Sequence, residues 1–113
     1  MSMFDFLSMA DNYEERKIDR FKNDDMVIDT CSVNDGRLPY ETGIAHKEYN
    51  EGKWIIVEAY SDKEFAQKGH EKWVLFMTGL KPPDFLQDCQ NAEVSRLLDF
   101  DYLKFYRKTG HEN

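Results

Sequence analysis

The sequence predicts an α+β fold: an antiparallel β-meander of three to four strands packed against a helix over about residues 62–78, with a second, C-terminal helix over about residues 92–108. Three observations carry this. Strand, cap, helix and stop signals agree along KWIIVEAYSDKEFAQKGHEKWVLFMTG, residues 53–79. Turn clusters at Asn23-Asp24-Asp25, Asn34-Asp35-Gly36 and Asn50-Glu51-Gly52 separate short runs rich in β-branched and aromatic residues. Apolar residues then recur at helical spacing from Val94 to Phe105.

Within the leading segment, residues 53–60 form a β-branched and aromatic run flanked by Gly52 and Ser61, the pattern of a buried strand. Ser61-Asp62-Lys63-Glu64 fits a capping box, with the Ser61 hydroxyl and the Glu64 carboxylate each satisfying a free N–H of the first turn. Phe65, Ala66, Gly69, Trp73, Phe76, Met77 and Leu80 share one helical face, with Asp62, Lys63, Lys68, Glu71 and Lys72 turned to water. Gly79 suits a left-handed position after the helix end, and Pro82-Pro83 cannot continue a helix.

Earlier in the chain, a short helical turn precedes a strand over about residues 15–22, whose alternating charges blunt a sheet edge. Residues 26–33 and 40–49 are the next strands. A two-residue loop at Glu51-Gly52 sets Ile44 opposite Ala59 and His46 opposite Val57, and a loop leaving Asn34 opposite Tyr40 sets Ile28 opposite His46. One sheet face then collects Met26, Ile28, Thr42, Ile44, Ile55, Val57 and Ala59, and the 62–78 helix is expected to cover it. The other face collects Val27, Asp29, Cys31, Val33, Ala45, Lys47, Tyr49, Trp54, Ile56, Glu58 and Tyr60. Beyond the prolines, Phe85, Leu86 and Cys89 suggest one or two helical turns. Asn91 caps the last helix, whose basic end at Lys104, Arg107 and Lys108 suits a C-terminus.

At 113 residues, 41% apolar and 14% aromatic, the chain reads as a single domain, 1–113, with one two-layer core. No run approaches a membrane span, and the first residues carry Asp5 without a basic stretch, so no signal peptide is expected. Cys31 and Cys89 read as thiols of a reducing compartment, which predicts a cytoplasmic location. The net charge of −7 is concentrated early: residues 1–60 carry 13 acidic and 7 basic side chains, against 9 and 8 in the remainder. That field repels phosphate backbones, and no basic stripe opposes it, so direct nucleic-acid binding is not expected.

Candidate chemistry is sparse. The expected register aligns Asp29, Ala45 and Glu58, placing two carboxylates about 10 Å apart with Lys47 and Cys31 nearby, a separation usable for hydrolysis. Cys31, Cys89, His46, His70 and His111 stand singly rather than at metal-ligand spacings, and Cys31 and His46 fall on opposite faces. No phosphate-cradling glycine motif occurs. No cofactor, metal or catalytic residue is therefore assigned.

FDFLSMADNYEERK at residues 4–17 and WIIVEAYSDKEFAQKGHEKWV at residues 54–74 resemble small proteins of unassigned function from tailed-phage and prophage genomes. The resemblance implies a phage setting, either a virion component or a protein acting in the host cytoplasm. Three functions compete. The first is a non-enzymatic protein that binds a protein partner or itself through Tyr49, Trp54, Ile56, Tyr60 and Lys47. The second is an acidic inhibitor that mimics nucleic acid through Asp24, Asp25, Asp29, Asp35, Glu48 and Glu51. The third is a small hydrolase or metal enzyme using Asp29 and Glu58.

Overall fold

Residues 13–34, 38–89 and 104–109 are described by the structure, a computed structural model. A single helical turn α1 (Tyr13–Arg16) leads into β1 (Lys17–Lys22), followed by β2 (Met26–Ser32), β3 (Tyr40–His46) and β4 (Trp54–Tyr60). These strands form one antiparallel sheet in the order β1-β2-β3-β4. The turn chemistry works as its residues suggest: the Asn23 side chain accepts from the Asp25 and Met26 N–H groups, which fixes the β1–β2 reversal. Helix α2 (Lys63–Thr78) crosses one face of the sheet, the α+β arrangement expected from the sequence.

The helix begins one residue later than expected. Asp62, not Ser61, is the N-cap, and its carboxylate accepts the Phe65 N–H at 2.9 Å. A carboxylate at that position also complements the positive end of the helix. Gly79 ends α2 with extended backbone at φ −71° and ψ 174°, not in the left-handed region.

The register differs from the expected one without disturbing the faces of β2 and β3, but β3 ends at His46 rather than at residue 49, and Tyr49, expected on the reverse face, joins the main core. Ile28 pairs with Ile44 and Thr30 with Thr42, two positions from the expected pairing, so the same side chains stay on the same side. On the far side, Ile44 pairs with Ile55 because the β3–β4 connection is long: Asn50, Glu51 and Gly52 are successive left-handed residues at φ 52°, 57° and 81°. Met26, Ile28, Ile44 and Ile55 form the main core with Tyr49, Met77 and Leu86, bordered by Phe21, Val57, Trp73, Val74 and Tyr106.

A bulge overturns the expected end of β4. Gly43 pairs with Ile56 and the next residue, Thr42, with Glu58, leaving Val57 as the extra residue. Beyond it the alternation inverts: Glu58 and Tyr60 turn under α2, and Ala59 leaves the face assigned to it. The reverse face packs Cys31, Val33 and Ile56 with Tyr13, Trp54 and Cys89.

The C-terminal region corrects two further expectations. Phe85–Asp88 is a strand, β5, rather than helical turns, and Lys104–Arg107 is its antiparallel partner β6, where the second helix was expected. Leu86 is buried between exposed Phe85 and Gln87, the period of a strand with one covered face. The rest of the expected 92–108 helix lies outside the described residues, apart from Lys108, which follows β6 outside any helix and donates its N–H to Asp84 O at 2.8 Å. The β5–β6 pair is tied to the main sheet by Thr109 N–H donating to Glu48 O at 2.8 Å and by the Tyr49 hydroxyl donating to Pro83 O.

Gly69 permits the closest approach of α2 to the sheet: a Cβ there would overlap Cε1, Cζ and the hydroxyl of Tyr60. That ring is buried and its hydroxyl is hydrogen-bonded, so it has no room to yield. Gly69→Ala should therefore lower stability by about 1–3 kcal/mol through overpacking. It should do so although alanine favours a helix by about 1 kcal/mol. Urea unfolding followed by far-ultraviolet circular dichroism measures the difference, and a gain in stability would show that the contact is not limiting.

Candidate functional site

The most organised set of polar side chains lies between α2 and the sheet. Thr30 and Thr42 face each other across β2 and β3 with their hydroxyl oxygens 2.6 Å apart. His70, on the inner side of α2, places Nδ1 2.8 Å from the Thr30 hydroxyl. The bulge brings the Tyr60 hydroxyl to 2.8 Å from that of Thr42, and Tyr60 donates onward to Glu58 at 3.2 Å. Glu58 also accepts from Lys72 Nζ at 2.6 Å and Trp73 Nε1 at 2.8 Å. At the opposite end Asp19 Oδ2 lies 4.0 Å from His70 Nε2 and accepts from Gln67 at 2.9 Å. The result is a polar chain running across the sheet beneath the helix.

The electrostatics follow from burial and pairing. Desolvation pushes the His70 and His46 imidazoles below their ordinary range, so both are neutral in the folded protein at neutral pH. Burial raises the Glu58 carboxyl, but hydrogen bonds from Lys72 and Trp73 outweigh it and hold the group below the usual carboxylate range. The hydrogen bond from Gln67 does the same for Asp19. These groups are arranged to hold α2 on the sheet.

Clefts open on both flanks of α2. One, of about 430 Å³, lies against β4, with Tyr60, Phe65, Gly69 and Lys72 among its walls. The other, of about 410 Å³, lies against β1 and is lined by Asp19, Arg20, Phe21, His70, Glu71, Val74 and Leu75.

Asp29 and Glu58 do not meet. Asp29 pairs with Gly43, which pairs with Ile56, and Glu58 lies on the helix side, so the aligned carboxylate pair expected from the sequence is absent. Asp29 is fully buried on the reverse face, accepting from the Tyr13 hydroxyl at 2.8 Å and from Arg20 at 3.0 Å. Desolvation raises its carboxyl, while those two partners oppose the shift. Burial likewise pushes the Cys31 thiol up to about 12 and the Cys89 thiol to about 11, far from a reactive thiolate. Cys31 and His46 lie on opposite faces, as expected. Among the described residues no three His, Cys, Asp or Glu side chains are grouped to hold a metal ion.

The residues expected at a protein contact are largely internal. Tyr49 is fully buried in the main core, Ile56 is buried on the reverse face, and Tyr60 lies beneath α2. Trp54 is half-buried, and Lys47 is exposed in an ion pair with Asp25 at 2.8 Å. Asp24 and Asp25 share one end of the sheet with Glu48 and Glu51, where lysines counter them: Glu48 meets Lys108 at 2.8 Å and Glu51 meets Lys53 at 3.7 Å. Asp35 lies outside the described residues.

Exposed apolar side chains instead gather where α2 ends. Leu75 is 74% exposed, Phe76 49% and Leu80 fully so. Leu75 stands opposite Ala66 around the helix, a leucine on the face of Lys68 and Glu71, and that position was its signal in the sequence. Phe76 and Leu80 belonged to the face expected to be covered.

The fold and its surfaces define the class, an α+β protein with a helix over one face of a four-stranded meander. Comparison with protein-family models, with curated proteins and with solved structures gives no match.

Two measurements test the polar chain. Thr30→Val, equal in shape, should cost about 1–3 kcal/mol because it leaves His70 Nδ1 without its partner. Unfolded histidine takes up a proton near pH 6.5, before the depressed imidazoles of the folded state do, so stability should fall between pH 7.5 and 5.5. The drop should shrink in His70→Gln; an unchanged drop in the urea midpoint would place its cause elsewhere.

Proposed function

We propose that this chain is a small, non-enzymatic accessory protein of the phage or prophage type that acts through protein–protein contact. The observation that carries the reading is the apolar surface at the C-terminal end of α2, where Leu75, Phe76 and Leu80 stand exposed over a core that is complete without them. An exposed leucine alone means little, but three neighbouring large apolar side chains at one helix end mark a contact site. Burying each in an interface is worth about 1.5–3 kcal/mol, enough for three to anchor a complex. A second apolar pair, Phe85 and Phe105, stacks edge to face on the outer side of β5–β6 with centroids 6.5 Å apart.

The phage setting rests on the resemblance of residues 4–17 and 54–74 to small proteins of such genomes. No helix among the described residues is long and apolar enough to cross a membrane. The reading includes a cytoplasmic setting, which the two free cysteines support.

The double variant Phe76→Glu, Leu80→Glu tests the reading. Both side chains are exposed, so the fold should persist by circular dichroism. Association, whether self-assembly in sedimentation equilibrium or complex formation with an isolated partner, should weaken at least about a hundredfold, two steps of 1.4 kcal/mol. Unchanged association of the folded double variant would remove this surface as the contact.

A further inference from the structure

We propose that the cleft between β1 and α2 receives an extended segment of a partner protein, added as a strand along the outer edge of β1, with a cationic and an apolar side chain two residues apart. The inference rests on the reading of the chain as a protein-binding module and names how one partner segment is held.

Three observations converge on this edge. Among the described residues β1 has β2 on one side and no strand on the other; the Arg20 N–H on that side donates to Asp19 Oδ1 at 2.8 Å, and a new strand would pair with the other outward-facing backbone groups of Arg20 and Lys22. That stretch pairs regularly with β2, because the irregularity of β1 falls between Lys17 and Asp19. Directly beside the edge, the cleft of about 410 Å³ offers apolar walls from Phe21, Val74 and Leu75.

Charge sets the chemistry of the occupant. Asp19 and Glu71 both stand at this cleft, and the Gln67 amide donates to each, at 2.9 and 3.1 Å, so one side chain holds the two carboxylates together. The Arg20 guanidinium is turned to the reverse face against Asp29 at 3.0 Å, which leaves the cleft negative. The chain's net charge of −7 adds a long-range field of the same sign. Side chains two residues apart on a strand point to the same face. An arginine or lysine beside Asp19 and Glu71 therefore places the residue two positions along against Phe21, Val74 and Leu75.

A second copy of this chain does not satisfy the edge. A two-fold axis through an antiparallel pair sets a residue opposite its own copy. Within residues 19–22, centring on Asp19 opposes two aspartates, centring on Arg20 two arginines and centring on Lys22 two lysines, and centring on Phe21 sets Arg20 against Lys22. Like charges directly opposite one another destabilise a strand pair, so the occupant is a different, basic segment.

The probe is a synthetic peptide of about ten residues, the length of a long strand, with arginine and valine two positions apart in a threonine background. A control peptide replaces arginine with glutamate. Titration into the full-length protein should protect the amides of residues 19–22 from hydrogen exchange, and the glutamate peptide should give no protection. Glu71→Lys and Leu75→Lys, both on the exposed side of α2, should each weaken binding by at least about tenfold, and Glu71→Lys should reduce its salt dependence whereas Leu75→Lys should change it less. Equal binding of the two peptides, protection confined to other segments, or no binding of either peptide would overturn the proposal. Leu75 belongs to both surfaces, but Glu71→Lys leaves Leu75, Phe76 and Leu80 in place and the double variant Phe76→Glu, Leu80→Glu leaves the cleft lining intact, so the two surfaces are read separately.

Discussion

The polar side chains beneath α2 can be buried only if each finds a partner, and that requirement fixes how the helix sits on the sheet. An uncompensated hydroxyl or imidazole in such a place costs about 1–3 kcal/mol. Thr30, Thr42, Tyr60 and His70 avoid the cost by bonding in series, and Glu58 closes the series at the edge with Lys72 and Trp73. His70 reaches Thr30 only if α2 is turned so that Ala66, Gly69 and Met77 also face inward. The same rotation leaves Leu75 pointing away from the sheet. The internal polar chain and the exposed apolar end of the helix are two results of one constraint.

The bulge at Val57 makes the arrangement possible. With uninterrupted alternation Ile55, Val57 and Ala59 would all face the helix, and Glu58 and Tyr60 would lie on the reverse side. The extra residue brings the Tyr60 hydroxyl to Thr42 and its ring beneath Gly69. It also separates Glu58 from Asp29, which stays on the reverse face with Tyr13 and Arg20. One inserted position thus gives up a possible carboxylate pair and supplies a support for the helix.

What was legible in the sequence was what local chemistry controls. Turn clusters and alternating apolar residues gave β2, β3, β4 and α2, and the even-numbered faces of β2 and β3 survived a two-residue error in register because side-chain direction repeats every two residues. The bulge was not legible, since Val57 carries no mark that it has no opposite number. Nor was β5 visible as a strand: in Phe85-Leu86-Gln87-Asp88 only Leu86 is buried, and its partner β6 lies far along the chain. Of the expected contact residues, Tyr49 was the hardest to place. Its burial depends on a donor bond to Pro83 and on β5–β6 packing over the end of the core, neither of which is local. His70, four residues after Ala66 and seven before Met77, falls by helical spacing on the inner face, but its role is set by Thr30, forty residues away, which spacing does not show.

These placements bear on which function the molecule can support. Acid–base chemistry needs a titratable group that is both poised and reachable by substrate. Here the carboxyl and thiol groups that burial raises are enclosed, and the carboxylates that stand at the clefts, Asp19 and Glu58, are held ionised by their donors. The fully buried Asp29 is enclosed by Tyr13 and Arg20, Cys31 is sealed in an apolar cluster, and His70, at the wall of the β1 cleft, is buried with Nδ1 bonded to Thr30. Of the carboxylates at the turns, Asp25, Glu51 and Glu48 are paired with Lys47, Lys53 and Lys108, which interrupts the negative charge at that end of the sheet. What the fold leaves facing water in concentrated form is apolar surface at the end of α2 and a strand edge beside it. Both are surfaces that proteins use on one another, and both exist because the polar groups have been spent inside.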